Sequence, residues 1–360
     1  MSTIRTVPER LPGEPPPSLG GPEVEALWPE NPILVHATRG HAMESVHRGA
    51  WCLVSSDGEV LEGRGAFRAP VFVRSAIKCA QALPLLETGA AARFGFDDGD
   101  IALAVSSHDA EPCHVERATA LLARLGLNED ALQCGPQNPG NDAARFELRV
   151  AGARGTRIHN NCSGKHAGFL ALAKHLGDDP ARYLAEDSLA QRHVRAAVRD
   201  MAGIEDFELM TAIDGCSAPT FYLPLVGLAA AFARVTNPAA LEPERRAACD
   251  RIVQAVRANP VLLAGSSKRL CTDLVRVSGG RLFPKIGAEA VYAVGVPGAD
   301  VALAVKMDDG GARGLSAVVI ALLERYKHLN RAEVDALSSW RTPVLRNWAG
   351  LEVGELRVEL

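Results

Sequence analysis

Serine and lysine residues stand at spacings that could support acyl transfer. Ser75 and Lys78 form a Ser-x-x-Lys motif at the predicted start of a helix, and side chains with this spacing share one helix face. A neutral lysine can remove the proton of a serine hydroxyl, provided that burial or a second cation lowers the lysine pKa. The alternative is an ordinary helix start with an exposed lysine. The chain contains seven lysines and 32 arginines, and because arginine cannot act as this base, a lysine within a motif is informative here.

A second serine and a second lysine extend this pattern. Ser107 follows the apolar run Ile101–Val105, and Lys285 ends a late strand in the sequence Pro-Lys-Ile-Gly. Two lysines that converge on one site lower each other's pKa, which favours the neutral base. The order of these stretches along the chain resembles that of the penicillin-recognising serine enzymes. The alternatives are a turn hydroxyl at Ser107 and a solvated strand end at Lys285.

Two cysteines and a third lysine indicate a metal site. The run His159–Leu170 leads into an apolar helix with Ser163 as the expected N-cap, so Cys162 and Lys165 would lie at the helix N-terminus. The partial positive charge there stabilises a thiolate and disfavours a protonated lysine, so Lys165 should be paired or neutral. Together with Cys216 from a separate Gly-rich loop, these side chains could bind zinc through two thiolates and an amine. Two small buried cysteines are the alternative.

The composition limits the classes of partner. The 360-residue chain is 47% hydrophobic with a net charge of -4, which allows a large core and disfavours nucleic acid or an acidic membrane surface as a partner. Residues 1–31 contain seven prolines and no apolar run, and no segment is long enough to span a bilayer. We therefore expect a cytoplasmic protein with a small-molecule substrate, whose eight cysteines are thiols.

The apolar pattern predicts one α/β (α+β) domain over 31–345, between a Pro-rich disordered tail over 1–30 and a C-terminal extension over 346–360. Strands are expected near both ends and helices in the middle, from about 112 to 258, so that one sheet is assembled from the two terminal regions. A first helix should begin at Ser75 and end or bend at Pro84. The expected strands are 33–35, 49–54, 60–63, 282–285, 290–294 and 301–306, and the other expected helices are 112–127, 163–176, 185–202, 223–235, 244–256 and 314–326.

These stretches together resemble the rhizobial-type, or class 3, bacterial L-asparaginases, which are serine-dependent amidohydrolases. The likeness extends from about Pro32 to beyond Gly314, and its most specific mark is the run Asn-Asn-Cys-Ser-Gly-Lys-His-Ala-Gly over 160–168. The other matching stretches are Glu44–Gly49, Arg74–Lys78, Ser107–His108, Glu111–Pro112, Asp214–Thr220, Lys285–Glu289 and Asp309–Gly310.

The resemblance implies a fold similar to the serine β-lactamases and glutaminases, a homodimer, and hydrolysis of L-asparagine to L-aspartate and ammonia. It also implies that Ser75, activated by Lys78, attacks the side-chain amide to form an acyl-enzyme, while nearby backbone amides hold the oxyanion. Ser107 and Lys285 would relay a proton to the departing ammonia, and water would then hydrolyse the acyl-enzyme.

The same resemblance implies further ligands at the site. A zinc ion (Zn2+) would be held by Cys162, Lys165 and Cys216, and we expect it to orient the substrate rather than to activate water. The residues expected to hold the ammonium and carboxylate of the substrate are Arg74, Asn161, His166 and Asp214.

Several positions depart from the family pattern. Cys79 stands in place of a proline, Gln137 of a histidine and Ala290 of a glycine, and Asp109 and the loop Ser266–Leu270 are atypical. These departures leave the substrate preference open, because a pocket rejects one additional methylene by only about 1–3 kcal/mol. The alternatives are a glutaminase or another amide or lactam hydrolase on the same scaffold, or a catalytically inactive, zinc-containing ligand-binding protein.

Overall fold

The computed structural model describes residues 30–360. The predicted Pro-rich tail therefore lies, except for its last residue, outside the described residues. Residues 31–360 form one compact unit.

The strands of the described chain form two antiparallel sheets. They are β1 (Ile33–Arg39), β2 (Ala42–Val54), β3 (Val60–Arg64), β4 (Pro70–Phe72), β5 (Met210–Ile213), β6 (Pro219–Pro224), β7 (Phe283–Gly287), β8 (Val291–Val296), β9 (Val301–Met307), β10 (Val344–Arg346) and β11 (Glu352–Val358). The larger, eight-stranded sheet has the order β10-β11-β1-β2-β9-β8-β7 with β3 paired to β2, and the smaller has the order β4-β6-β5. The larger sheet joins strands from both ends of the chain, which confirms the predicted assembly.

Helices cover the larger sheet and form the middle of the chain. They are α1 (Lys78–Gln81), α2 (Leu83–Glu87), α3 (Ala90–Arg93), α4 (Asp98–Ala104), α5 (Pro112–Arg124), α6 (Asp142–Val150), α7 (Ser163–Leu176), α8 (Leu189–Ala202), α9 (Leu225–Thr236), α10 (Pro243–Ala258), α11 (Pro260–Leu263), α12 (Leu270–Val277), α13 (Leu315–Arg325), α14 (Arg331–Ala336) and α15 (Ser338–Arg341). The mixed helix and strand class predicted from the sequence is confirmed.

The centre of the larger sheet is covered on both faces. Every residue of β8 and β9 is buried, which explains why these strands are almost continuously apolar instead of alternating with polar residues. Helix α9 packs on β2, β8 and β9, and α13 also packs on β9. This rigid layer holds β7, the edge strand that carries Lys285.

The first helical segment is more broken than the sequence predicted. A 3-10 turn covers Arg74–Ile77, α1 begins at Lys78, and a new short helix begins at Leu83 with Pro84 in its first turn. The expected continuous helix from Ser75 to Leu83 is therefore wrong. Pro84 starts a helix here, since its missing N–H costs nothing in a first turn.

The smaller sheet was not predicted. Strand β6 pairs with both β4 and β5, and the chain enters α9 only after Pro224. The sequence placed this helix start at Leu223, because an apolar run of this length does not distinguish a buried strand from a helix. The strand matters for the site, since the loop of Asp214 and Cys216 joins β5 to β6.

The residues predicted as a C-terminal extension contribute to the larger sheet. Strand β11 pairs with β1, with Ala37 opposite Leu356, and β10 pairs with β11. Leu356 is 2% exposed, so this strand belongs to the packed unit.

Candidate active site

Ser107 lies between two buried lysine side chains. Its Oγ is 2.7 Å from Lys285 Nζ and 3.2 Å from Lys78 Nζ. The loop after α4 supplies Ser107, the first residue of α1 is Lys78, and β7 supplies Lys285. The structure therefore brings three of the four predicted catalytic residues together around one hydroxyl, although Ser107 and Lys285 lie 178 positions apart in sequence.

The environment favours a neutral amine at Lys285. Burial, with the nearby charge of Lys78, lowers the pKa of Lys285 to about 7. Burial also lowers the pKa of Lys78, and Lys165 adds to this effect while the Cys162 thiolate opposes it. These are the conditions that turn a lysine into a base near neutral pH.

The contacts of the two lysines indicate the direction of proton transfer. Lys78 Nζ donates to the Ser106 carbonyl oxygen and lies 3.1 Å from Cys162 Sγ. Lys285 Nζ donates to the Ile286 carbonyl oxygen at 2.9 Å. A neutral Lys285 retains a lone pair, so it can accept the Ser107 hydroxyl proton while Ser107 Oγ accepts an N–H from Lys78.

Ser75 is not hydrogen-bonded to its predicted partner in the described chain. It is half-buried on the 3-10 turn before α1, and no hydrogen bond of the described residues joins its hydroxyl to Lys78, whose amine is turned toward Ser106, Ser107 and Cys162. The turn nevertheless packs closely on β7. A Cβ atom at Gly287 would lie 2.8 Å from the Val73 carbonyl oxygen, so glycine is what allows β7 to approach Ser75.

Two of the predicted substrate-binding residues form an ion pair beside this turn. Arg74 Nε donates to Asp214 Oδ1, and the Asp214 side chain is 11% exposed. Burial alone would raise the pKa of Asp214, but the charges of Lys165 and Arg74 lower it. Arg74 has a positive φ of 47°, an uncommon conformation for a residue other than glycine.

The other two predicted substrate-binding residues are less accessible. His166 is fully buried on α7, with Nδ1 2.6 Å from the Tyr183 hydroxyl, and its Nε2 has no hydrogen-bond partner among the described residues. Asn161 is half-buried, and its backbone N–H donates to Gln137 Oε1 at 3.1 Å. The atypical Gln137 thus fixes the loop that leads into α7.

The start of α7 differs from the prediction in one respect. Cys162, and not Ser163, occupies the N-cap position, and its side chain makes no capping hydrogen bond. Ser163 is the first helical residue, with its hydroxyl 3.0 Å from His108 Nε2. The expected Ser163 cap is wrong because a neighbouring loop contributes a better partner for this hydroxyl.

Cys162, Lys165 and Cys216 lie together, and Cys162 contacts the Lys78 amine. Lys165 Nζ lies 3.1 Å from Cys216 Sγ, and all three side chains are buried. A hydrogen bond from the Cys216 thiol, aided by the charges of Lys78 and Lys165, lowers the pKa of Cys162 well below its usual range. Burial disfavours a charged Lys165, but its electrostatic interactions with Cys216 and Cys162 outweigh burial and raise the Lys165 pKa. The lysine at this helix N-terminus is therefore paired, as the helix dipole predicted.

These three side chains offer the sulfur and nitrogen donors that zinc accepts. Among the described residues, no group of three or more His, Cys, Asp or Glu side chains is placed to hold a metal, but the predicted set takes its third donor from a lysine. Sulfur and nitrogen ligands of a tetrahedral zinc lie roughly 3.6 Å apart, close to the 3.1 Å between Lys165 Nζ and Cys216 Sγ. The metal itself remains a prediction.

Sequence reasoning missed two pairs of residues beside Ser107. His108 and His114 are buried and stacked at 4.9 Å between ring centroids, and burial lowers the pKa of both. Asp109 pairs with Arg269, which lies 160 residues away. Ser107, His108 and Asp109 are consecutive in sequence, but no sequence spacing connects Asp109 to a distant arginine.

A family model for L-asparaginase II matches residues 35–358. The chain belongs to the L-asparaginase II family. This membership confirms the resemblance that the motifs indicated. No curated protein sequence matches this family member.

Solved structures resemble this L-asparaginase II family member in part. A β-lactamase (Mb2281c) from Mycobacterium bovis shares 16% identity over 84% of this chain and 98% of its own, with a TM-score of 0.39. The native form of Mglu, determined in 4.3 M NaCl, shares 15% identity over 78% of this chain and 61% of its own, with a TM-score of 0.42. Within residues 30–360, the asparaginase family member has no helix with the length and hydropathy needed to cross a membrane.

Proposed function

We propose that the protein hydrolyses L-asparagine to L-aspartate and ammonia. The observation that carries this proposal is the Ser107 hydroxyl, which lies within hydrogen-bonding distance of two buried lysine amines in a member of the L-asparaginase II family. A serine beside a neutral lysine can be deprotonated and can return its proton to a leaving group. Amide hydrolysis needs both steps.

In the proposed reaction Ser75 Oγ bonds to the side-chain amide carbon of the substrate, and its proton passes to Lys78. The carbon–nitrogen bond then breaks, and the proton moves through Ser107 and Lys285 to the departing ammonia. Backbone amides next to Ser75 stabilise the oxyanion, and water hydrolyses the acyl-enzyme. The contacts of Lys78 and Lys285 with Ser107 support the relay. A rotation of the Ser75 or Lys78 side chain is required for the first step.

The same contacts favour a second assignment of the nucleophile. Ser107 already has a neutral base at 2.7 Å in Lys285, whereas Ser75 has no hydrogen bond to Lys78 in the described chain. Ser107 as the attacking residue would need no side-chain rotation for deprotonation. The two assignments differ in which serine carries the acyl group.

The remaining side chains would bind the substrate and a metal. Arg74 and Asp214 offer opposite charges beside Ser75 and would hold the substrate carboxylate and ammonium, together with Asn161 and His166. Zinc, when bound by Cys162, Lys165 and Cys216, would supply positive charge that orients the substrate and fixes the loops.

The first test measures ammonia release from L-asparagine and L-glutamine by the wild type and by the S75A and S107A variants. S278A is the matched control, since Ser278 is an equally buried serine whose hydroxyl donates to the Leu274 carbonyl oxygen and contacts no lysine. We expect asparagine hydrolysis in the wild type and S278A, and loss in S75A and S107A. Mass spectrometry of the quenched acyl-enzyme identifies the modified serine.

The outcomes separate the alternatives. Faster release from glutamine would indicate a glutaminase. Asparagine binding by the wild type without ammonia release would indicate a ligand-binding protein, and an active S75A variant with an acylated Ser107 would reassign the nucleophile.

A further inference from the structure

An ion pair unrelated to the predicted motifs holds the backbone of Ser107. Arg269 Nη1 donates to Asp109 Oδ1, and Arg269 Nη2 donates to the Ser107 carbonyl oxygen at 2.6 Å. The side chains of Arg269 and Asp109 are 21% and 11% exposed. A charge-assisted contact with so little exposure to water is stronger and better fixed than a surface ion pair.

Asp109 is itself held by three segments. Its backbone N–H donates to the Ala264 carbonyl oxygen at 2.9 Å, and its own carbonyl oxygen accepts from Asn141 N at 3.2 Å. Glycines allow two loops to approach its carboxylate, since a Cβ at Gly140 would lie 2.4 Å from Oδ1 and a Cβ at Gly265 would lie 2.8 Å from Oδ2. Asp109 therefore has little room to move, and it fixes the direction of the Arg269 guanidinium.

The backbone of Ser107 is anchored on both sides. Its N–H donates to the Leu263 carbonyl oxygen at 3.0 Å, and its carbonyl oxygen accepts from Arg269. Loss of the second anchor would free the peptide that places Oγ between the two lysines. A displacement of about 1 Å in a reacting group can cost roughly 100-fold in rate.

Arg269 also places a permanent positive charge near Lys285. Lys78, Cys271, Arg269 and Cys162 act on Lys285 through their charges, and the Cys79 thiol also interacts with it. Lys78 and Arg269 both favour the neutral amine, but only the guanidinium keeps its charge at every working pH.

We propose that Arg269, oriented by Asp109, is a positioning residue that anchors the Ser107 carbonyl and keeps a fixed positive charge beside Lys285. The proposal rests on the proposed amide hydrolysis, in which Ser107 and Lys285 transfer the proton. It gives a role to Asp109 and to the 266–270 loop, two of the features that depart from the family pattern.

The test compares R269Q, R269K and the control R245Q. Arg245 forms an equally half-buried ion pair with Glu87, with exposures of 23% and 18%, outside the site. We expect R269Q to lower kcat roughly 10- to 100-fold and to move the acid limb of the kcat/KM profile to higher pH. R269K keeps the positive charge, so the acid limb of the kcat/KM profile should stay at its wild-type pH. Its kcat should fall in part, because an ammonium cannot contact Asp109 and the Ser107 carbonyl oxygen as the planar guanidinium does.

A second measurement works without enzyme activity. NMR of protein labelled with 13C in lysine follows seven lysines, and the K285R variant assigns the Lys285 signal. R269Q should raise the midpoint of the Lys285 titration, while R269K and R245Q leave it unchanged.

The two measurements separate the proposals. If the wild type releases no ammonia from either amide, the proposed function fails, and the Lys285 midpoint alone decides the role of Arg269. If R269Q is as stable as R245Q, a change in kcat or in the midpoint beyond that of R245Q supports the role. No difference between R269Q and R245Q in either quantity overturns it.

Discussion

At the scale of single residues, the two lysines at Ser107 differ in what stabilises their charge. Lys78 contacts the Cys162 sulfur, and the thiolate form of Cys162 favours a protonated amine. Among the described residues, the Lys285 amine hydrogen-bonds to the Ser107 hydroxyl and to a backbone carbonyl oxygen, and burial is the largest influence on its pKa. The two lysines are similarly buried, but their charged forms are stabilised to different extents. Lys285 is therefore the better base for the Ser107 hydroxyl near neutral pH.

This difference predicts the pH dependence of activity. The protonated form of Lys285 cannot accept a proton, so kcat/KM should be low below the Lys285 pKa of about 7 and should rise through it as the pH increases. K285M should lose most of the activity. The control K174M should keep both the activity and the rise of kcat/KM with pH. Lys174 donates to the Leu125 carbonyl oxygen and has no contact with Ser107. A flat profile between about pH 6 and pH 8 would contradict the role of Lys285 as the base.

The buried thiols predict the metal content. Protein purified with zinc should hold about one ion per chain, and C216S should lose it because a serine hydroxyl is a poor zinc ligand. C134S is the control, since Cys134 is also buried but its Sγ lies 3.5 Å from the Arg157 carbonyl oxygen. Elemental analysis by mass spectrometry measures the content. Equal zinc in the wild type and C216S would exclude this ligand set.

At the scale of elements, the site depends on a close approach between an edge strand and a 3-10 turn. Strand β7 brings Lys285 to the site, and its last residue, Gly287, packs on the backbone of Val73 and Ala76. The turn carries Ser75 in its middle. Because Gly287 has no side chain, β7 can lie close to the 3-10 turn. This glycine therefore sets the distance between the two elements that carry Lys285 and Ser75.

The approach predicts the effect of G287A. The added Cβ would lie 2.8 Å from a backbone carbonyl oxygen, so β7 must shift, at a cost of about 1–3 kcal/mol in the free energy of unfolding. Because β7 carries Lys285, the rate of ammonia release should fall by more than this loss of stability alone would cause. G168A is the control because its Cβ would make contacts of 3.5 Å, an ordinary separation, within α7. Thermal unfolding and ammonia release measure the two effects. Unchanged activity in G287A would show that the strand position is not critical.

At the scale of the whole molecule, the larger sheet is completed by the end of the chain. Strand β11 covers β1, which would otherwise present an unpaired edge. The strand buries Leu356 at 2% exposure and leaves the neighbouring Arg357 exposed. The last residues of the chain therefore stabilise the first strand, far from the site.

This arrangement predicts that L356A lowers the free energy of unfolding by about 2–3 kcal/mol. R357Q on the same strand should change it by less than about 0.5 kcal/mol. Denaturant unfolding followed by circular dichroism measures both. Equal stability of the two variants would mean that β11 contributes little to the packed unit.

The implied homodimer is tested at the same scale. Light scattering of the purified protein should give twice the 38.2 kDa of one chain. A mass of one chain at micromolar concentration would refute the dimer without affecting the site, whose described residues all come from one chain.

The sequence alone identified the family and the class of fold. Helix α7 begins and ends where the apolar pattern placed it, at Ser163 and Leu176, because helical periodicity is a local property. The family and the lysine motifs followed from residue types and spacing, which also limited Lys165 to a paired or a neutral state. The strands β1 and β9 were also found, since their apolar runs are bounded by turn residues.

Tertiary structure decided which of these residues meet. Ser75 and Lys78 are neighbours in sequence, yet the Lys78 amine contacts Ser107, because burial offers it Ser106, Ser107 and Cys162 as partners. The contact between Asp109 and Arg269 depends on loops that converge from distant parts of the chain, and the small sheet forms only when β6 finds β4 and β5. Local sequence determines periodicity and chemical type, whereas the partner of a buried polar group is determined by the packing of the entire core.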